Sequence, residues 1–372
     1  MCSSRWKMIG STQVSGLLLT LALPWVLSAQ AQTLAVRDVL QSPAMQVPNA
    51  ERAVFSDITR TGGRLVAVGE RGLILYSDDN GQHWRQASVP VSVGLTAVTF
   101  VDADHGWAVG HAGVVLASND GGVSWTLQLD GIRAAELEVV AAQAELKVAG
   151  DTDAAQARME AAERLVDDGT DKPFLDVHFS DTRNGMVIGA YGMALQTHDG
   201  GRTWQSRMGQ IDNPSALHLY AVVQQGQDWY LAGEQGFLAH SSDAGAHFHA
   251  LPSPYQGSFF TLSPLPDGSL LLGGLKGHAF VLRDAGTRIE PLADAMPVSF
   301  SDSADLSDGR TLLSNQAGAL YSVTANGGRL QLLAPPQGKP LAALTQAADG
   351  SLVTAGLAGL SRLSLPARQV SE

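Results

Sequence analysis

Cysteine occurs once in the 372 residues, at Cys2. A disulfide within the chain is thereby excluded, as is a zinc site or catalytic nucleophile built from several thiolates. Positive charge is also scarce: Lys and Arg number 24 against 36 Asp and Glu, for a formal net charge of −12. A body of that sign offers no broad basic surface to nucleic acid or anionic lipid. Several local signatures of chemistry are missing too. There is no Gly-x-Ser-x-Gly elbow, no His-Glu-x-x-His and no phosphate-cradling Gly-rich loop followed by Lys. His247 and His249 form a His-x-His, but two imidazoles with Asp243 as the one nearby acid are too few for a closed zinc site. No metal and no cofactor is expected.

Long apolar runs are confined to the start. Arg5 and Lys7 precede a mostly apolar stretch at 9–26, and Ala29-Gln30-Ala31 supplies small-x-small. Ser, Thr, Gln and Pro24 interrupt that stretch, so residues 1–31 read as a cleaved signal peptide and not as a membrane span. The remaining chain, 32–372, is expected outside the cytoplasm, in a periplasm or in a thylakoid lumen if the host is photosynthetic. It carries no thiol and must stand on burial alone.

What is abundant is repetition. The octet SDDNGQHW at 77–84 returns as SNDGGVSW at 118–125, THDGGRTW at 197–204 and SSDAGAHF at 241–248. Each copy presents Asp, Gly and an aromatic at fixed spacing: Asp79, Gly81 and Trp84; Asp120, Gly122 and Trp125; Asp199, Gly201 and Trp204; Asp243, Gly245 and Phe248. This suits a tight turn in which Asp binds backbone N–H groups, Gly takes positive φ and the aromatic ring buries itself. The octet resembles the Asp-box, or bacterial-neuraminidase repeat, of β-propeller turns.

Eight residues before each box stands a Gly followed three positions later by another: Gly69/Gly72, Gly110/Gly113, Gly189/Gly192 and Gly233/Gly236. The pairs Gly274/Gly277, Asn315/Gly318 and Gly356/Gly359 continue the series after the boxes decay, with steps of 41, 79, 44, 41, 41 and 41 residues. Seven units of about 40 residues built from short β-branched runs and turns predict an all-β, seven-bladed β-propeller. Inner strands are expected at 54–58, 95–101, 174–179, 219–223, 259–262, 298–301 and 341–345. The last repeat ends after its third strand, near 360–365, and residues 32–41 are expected to supply the missing outer strand and close the ring.

The 79-residue step holds a 38-residue insertion within 131–170. Residues 132–148 and 154–166 are rich in Ala, Glu, Leu and Gln and predict an α-helical hairpin. Apolar stripes at Leu137, Val140, Ala144 and Val148, and at Ala154, Ala157, Ala161 and Leu165, are expected to pair. The hairpin either stands on the propeller or folds flat against its blades. Blade topology puts its connections on the face of the Gly-x-x-Gly turns, opposite the Asp-boxes. On that face Arg71, His111, Tyr191, Glu234, Gln235 and Lys276 form the candidate partner-binding surface.

Segments such as LTAVTFVDADHGWAVGHAGVVLASNDGGVSW and LDVHFSDTRNGMVIGAYGMALQTHDGGRTW are similar to blades of the photosystem II stability/assembly factor family. That resemblance implies an exported, non-catalytic propeller that binds a protein and helps a membrane protein complex to assemble. The helical hairpin, the low Lys/Arg content and the fading boxes depart from the family pattern. The hairpin fits better the related propellers thought to accompany envelope transporters in non-photosynthetic bacteria. The competing reading is an Asp-box glycoside hydrolase of sialidase type. It resembles this chain only in the box: the Phe-Arg-Ile-Pro segment is absent, and none of the six Tyr has a Glu neighbour suited to activate it. On the propeller reading, deleting residues 32–41 should expose the edge of the last strand and promote aggregation. A deletion variant that stays monomeric with unchanged melting, by light scattering and calorimetry, would rule out the closing strand.

Overall fold

The computed structural model describes residues 38–150, 152–293, 295–323 and 328–364. Seven antiparallel sheets follow one another along the chain, each running from inner to outer strand in sequence order. Six have four strands and the last has three among the described residues. The inner strands are Phe55–Thr61, Leu95–Phe100, Phe174–Phe179, Leu219–Gln225, Phe259–Pro264, Phe300–Asp305 and Leu341–Gln346. The sixth begins later than the sequence pattern suggests, because the Val298 N–H folds back onto the Met296 carbonyl at 2.7 Å across Pro297. Apolar clusters fill the seams between neighbouring blades. Phe55, Leu65 and Leu75 of blade one pack with Ala343, Val353 and Ala355 of blade seven, so the first and last repeats meet.

Each Gly-x-x-Gly turn is dictated by space. A Cβ on Gly69 would collide with the Val54 carbonyl, and one on Gly110 with that of Gly94. The second Gly of each pair has positive φ, and in five turns the residue before it is also left-handed: Arg71, Ala112, Tyr191, Gln235 and Lys276. At the ring junction the Leu360 N–H donates to the Glu51 carbonyl at 2.8 Å, joining blade seven to the entry of blade one.

The Asp-boxes are hydrogen-bonded turns. In the second, Asp120 Oδ1 accepts from Val123 N at 3.0 Å, Ser124 N at 2.9 Å and Ser118 Oγ at 2.8 Å, while Gly122 N donates to Ser118 Oγ at 2.9 Å. The other three repeat the arrangement around Asp79, Asp199 and Asp243. Gly81, Gly122, Gly201 and Gly245 all take positive φ. Trp125, Trp204 and Phe248 are buried and Trp84 is half-buried. In the fourth box His247 Nδ1 lies 2.8 Å from Asp243 Oδ2, whereas His249 Nδ1 lies 3.3 Å from Asp212. The two imidazoles thus go to different carboxylates.

Of the expected closing strand at 32–41, residues 32–37 lie outside the described residues, as does the signal peptide expected at 1–31. Residues 38–41 are not part of an outer strand. They form a turn in which the Val39 carbonyl accepts from Ser92 N at 2.9 Å, and Leu40 and Ala44 pack on the apolar cluster between blades one and two. Burial of those side chains directs this part of the segment away from the last sheet.

The insertion forms two helices, α1 (Gly131–Ala149) and α2 (Asp153–Asp167). Asp130 caps α1 by accepting from Arg133 N at 2.9 Å, and Thr152 caps α2 by accepting from Ala155 N at 3.3 Å. The hairpin folds against the blades, along the outer edge of blade three, and does not stand on the propeller face. α1 starts beside the Gly113 turn, crosses the outer strand of blade three at Ser206, and ends where Val148 and Ala149 share a cleft with His247 of the fourth Asp-box. The stripes expected to pair are not the buried ones. Ala134, Ala135, Glu138 and Ala142 of α1 and Ala155 and Ala162 of α2 are buried, whereas Val140 is 61% and Val148 90% exposed. Alanines allow close approach of the helices, and a charge network decides the rotation: Arg158 Nε meets Glu138 Oε1 at 3.0 Å, with Glu145 on its other nitrogen and Ser206 on Glu138.

Arg158→Ala should release the hairpin, since it strands the buried Glu138 carboxylate, a loss of about 3–5 kcal/mol. Amide exchange over 135–165 should speed while the blade cores stay protected, and Glu138→Gln with Arg158→Met should recover much of the protection. Unchanged exchange in Arg158→Ala would contradict the network's role.

Candidate protein-docking face

Every inner strand carries a β-bulge near its start. The register slips past Ser56, Thr96, Leu175, Tyr220, Phe260, Ser301 and Ala342, one residue in each blade. All seven line a central cavity of about 440 Å³ at the Gly-x-x-Gly end. Its wall is uneven. Blades one, two and six present hydroxyls, while blades four and five present Tyr220 and Phe260, with ring centroids 5.3 Å apart.

From Tyr220 an aromatic run leads from blade four to the Tyr191 turn of blade three. Tyr220 lies 6.3 Å from His218, and His218 lies 5.1 Å from Tyr191 in an edge-on arrangement. The Tyr191 N–H donates to His218 Nδ1 at 2.8 Å, fixing the imidazole beneath a left-handed turn that leaves the tyrosine ring 51% exposed. Glu234 Oε2 accepts from the backbone N–H of His218 at 3.2 Å and lies 3.9 Å from its Nε2. Lys172 Nζ sits 5.7 Å from the Tyr191 ring centre and bonds Asp171 at 2.6 Å and Asp168 at 3.1 Å. Burial lowers the Lys172 pKa, but the two carboxylates outweigh it and hold the ammonium above its ordinary range.

The six residues expected on this face divide accordingly. Tyr191 and Glu234 meet through His218, with exposed Gln235 beside them. Arg71 instead borders a cleft with Val39, Met45 and Val47 on blade one. His111 is exposed on blade two and Lys276 on blade five, where the Lys276 N–H donates to Ser299 Oγ at 3.1 Å. His218, Tyr220, Phe260 and Lys172 escaped the sequence reading. A signal for two of them exists, since Tyr220 and Phe260 hold the second inner-strand position where other blades carry Ser, Thr, Leu or Ala.

Inside the cavity, carboxylates bind blade to blade. Asp57 accepts from Ile58 N and Val98 N, both at 2.7 Å; Asp176 accepts from Val177 N at 2.7 Å and Val222 N at 2.8 Å; Asp302 accepts from Leu344 N at 2.8 Å. Each reaches the next blade's inner strand at a blade whose own third residue is alanine: Ala97, Ala221 or Ala343. Burial pushes the Asp57 carboxyl up to about 6 and Asp176 to about 7; burial and the neighbouring carboxylates raise Asp302 as well. These oxygens are occupied by backbone donors, which suits scaffolding rather than proton transfer to a substrate. Tyr220 is likewise a poor nucleophile, because burial and the Glu234 charge raise its pKa. No group of three or more His, Cys, Asp or Glu poised for a metal occurs among the described residues. No described helix is long and apolar enough to cross a membrane.

The fold is a seven-bladed propeller with Asp-box turns, and its Gly-x-x-Gly face is mixed aromatic and polar. Comparison with known proteins narrows the class. The model of the photosynthesis system II assembly factor YCF48 family matches residues 77–145 and 155–259. A photosystem II assembly lipoprotein Ycf48 of Synechococcus sp. (strain CC9902) is 34% identical over 77 residues, which is 21% of this chain and 23% of that relative's length. Among solved structures, YCF48 bound to D1 peptide matches with a TM-score of 0.61 at 16% identity, over 87% of this chain and 96% of that one. The GH74 enzyme of Niastella koreensis reaches 0.60 at 12% identity, over 85% and 53%, a likeness of fold alone. Over the matched residues this chain is similar to the photosystem II assembly factors, and it spans less than a quarter of the length of the curated relative; over the rest the likeness is one of fold.

The two sets of carboxylates oppose each other in pH. Asp57 and Asp176 hold protons more tightly folded than unfolded, so their contribution is complete below about pH 4 and is lost as pH rises through 6–7. The box carboxylates are depressed, Asp199 to about 2 mainly by the Thr203 hydroxyl and backbone N–H, so theirs is present above about pH 4 and lost below it. Melting temperature should therefore peak in mild acid. Asp57→Asn should flatten the decline between pH 4 and 7, and Asp199→Asn the decline below pH 4. Parallel profiles for wild type and both variants, by calorimetry, would refute the assignment.

Proposed function

We propose that this protein is an exported, non-catalytic propeller that holds a segment of a membrane protein on its Gly-x-x-Gly face, acting in assembly or support of a membrane complex. The aromatic run Tyr191–His218–Tyr220–Phe260 carries the reading. It is a continuous strip of ring edges and faces from the exposed rim to the channel mouth, and aromatic contacts of this kind contribute about 0.5–1.5 kcal/mol each beyond area burial. Glu234 and Gln235 border it, and Arg71, His111 and Lys276 add polar groups on blades one, two and five of the same face. A solved relative of this fold holds a peptide, by its own description. In a photosynthetic host the partner is a photosystem subunit; in a non-photosynthetic one the insertion favours an envelope transporter. The lipoprotein name of the relative is consistent with export to a periplasm or lumen. A peripheral association with the membrane follows, through the partner.

The competing glycoside hydrolase reading draws on the fold alone. Affinity capture from envelope membranes, with a parallel assay for released sugar, separates the two. The wild type should recover an inner-membrane complex, and Tyr191→Ala with Arg71→Ala should lower recovery at least tenfold with melting unchanged. Excising 131–170 behind a short Gly/Ser linker should leave the propeller folded, since a Cβ on Gly131 would lie 3.1 Å from Thr170 Cα. Full-strength capture by the double variant would move the candidate to the Asp-box face, and sugar release would favour the hydrolase.

A further inference from the structure

The stripe that α1 leaves uncovered forms one wall of a groove. Leu137, Val140, Ala144 and Val148 face Trp204, Arg207 and His247 across a cavity of about 670 Å³ between the hairpin and the outer edge of blades three and four. Ala144 and Val148 are exposed, as is Val140, while Leu137 is half-buried on the blade-three cluster.

Arg207 makes this groove more than an apolar gap. Five arginines are half-buried among the described residues: Arg64, Arg158, Arg207, Arg283 and Arg310. Four of them meet carboxylates, at Asp78, Glu138, Asp267 and Asp308. Arg207 does not. Its Nε donates to the neutral Gln196 Oε1 at 2.8 Å, and no carboxylate of the described residues lies within ion-pair distance. Burial depresses its pKa with only distant relief from Asp243. A guanidinium held this way lacks the anion that would offset its desolvation. The other ionisable groups on the groove are already engaged: Glu145 by Arg158, and His247 by Asp243.

The geometry restricts what can enter. The outer strand of blade three is Gln205–Ser206, two residues long, too short an edge to pair an extended chain. An occupant must satisfy its own backbone, as a helix does. The α1 wall repeats at 137, 140, 144 and 148, the i, i+3, i+7, i+11 spacing of a helix surface, and a second helix packs against such a ridge. We infer that this groove docks an amphipathic helix of a partner protein, whose apolar face covers Val140, Ala144 and Val148 and whose Asp or Glu pairs with Arg207. This is a second docking surface on the outer edge, separate from the Gly-x-x-Gly face, so its failure leaves that reading untouched.

The test is selection of a displayed library of helical peptides against the wild-type protein, followed by fluorescence anisotropy of the enriched peptides. Apolar residues at three- and four-residue spacing with an invariant Asp or Glu are expected. Val140→Asp with Val148→Asp should weaken binding at least tenfold. Arg207→Glu should do the same, and a peptide with its acid changed to Lys should recover binding to Arg207→Glu but not to wild type. That exchange would not follow from a structural role of Arg207. Three results would overturn the inference: no enrichment, enriched peptides lacking the acid or indifferent to these variants, or a wild-type dimer made monomeric by Val140→Asp with Val148→Asp, which would make a second copy the occupant.

Discussion

A propeller must deal with the free edge of every inner strand, and in this chain the answer is a side chain reaching across the seam. Three carboxylates, Asp57, Asp176 and Asp302, accept N–H groups from the neighbouring blades. The pairing of Asp in one blade with Ala in the next leaves room for the carboxylate where a larger side chain would block it. Other seams use weaker devices. Thr96 Oγ1 donates to the Phe174 carbonyl at 2.7 Å between blades two and three, and Ser263 and Ser303 share a hydroxyl contact between blades five and six. At that latter seam Thr261 stands where Asp would, and its buried hydroxyl has no partner. The ring is thus held unevenly, most polar at three seams and mainly apolar elsewhere.

The same backbone irregularity that aligns these clasps also builds the candidate surface. A bulge adds one residue to the start of each inner strand and turns it toward the channel mouth. Where that residue is Ser or Thr, the mouth is polar; at Tyr220 and Phe260 it becomes aromatic, and His218 and Tyr191 extend the strip to the rim. Scaffold and site are therefore different readings of one structural unit. The Asp carboxylates of the Asp-boxes, at the far ends of the blades, bond within their own turns.

The insertion shows how one charged residue can redirect a helix. Apolar periodicity alone would turn Val140 and Val148 inward. The half-buried Arg158 guanidinium pairs with the buried Glu138 carboxylate and with the more exposed Glu145 two turns on, and small alanines let the helices close around it. The valine stripe is left facing a groove instead of a core.

Much of this architecture is legible in the chain because it depends on local chemistry. The Gly-x-x-Gly period follows from turns that need left-handed residues and close backbone approach, and Gly72 or Gly236 would be recognisable in isolation. The boxes follow from Asp and Gly placed to bond a single turn, and the two helices from their composition and caps. What only the tertiary structure decided lies between residues 20 or more apart. Whether Asp57 finds Val98, whether Tyr220 meets Phe260, which stripe of α1 is buried, and where residues 38–41 attach all depend on contacts across blades. Periodicity reports which side of an element is apolar; it carries no information on which neighbour supplies the matching surface, or on where a single buried charge overrules it.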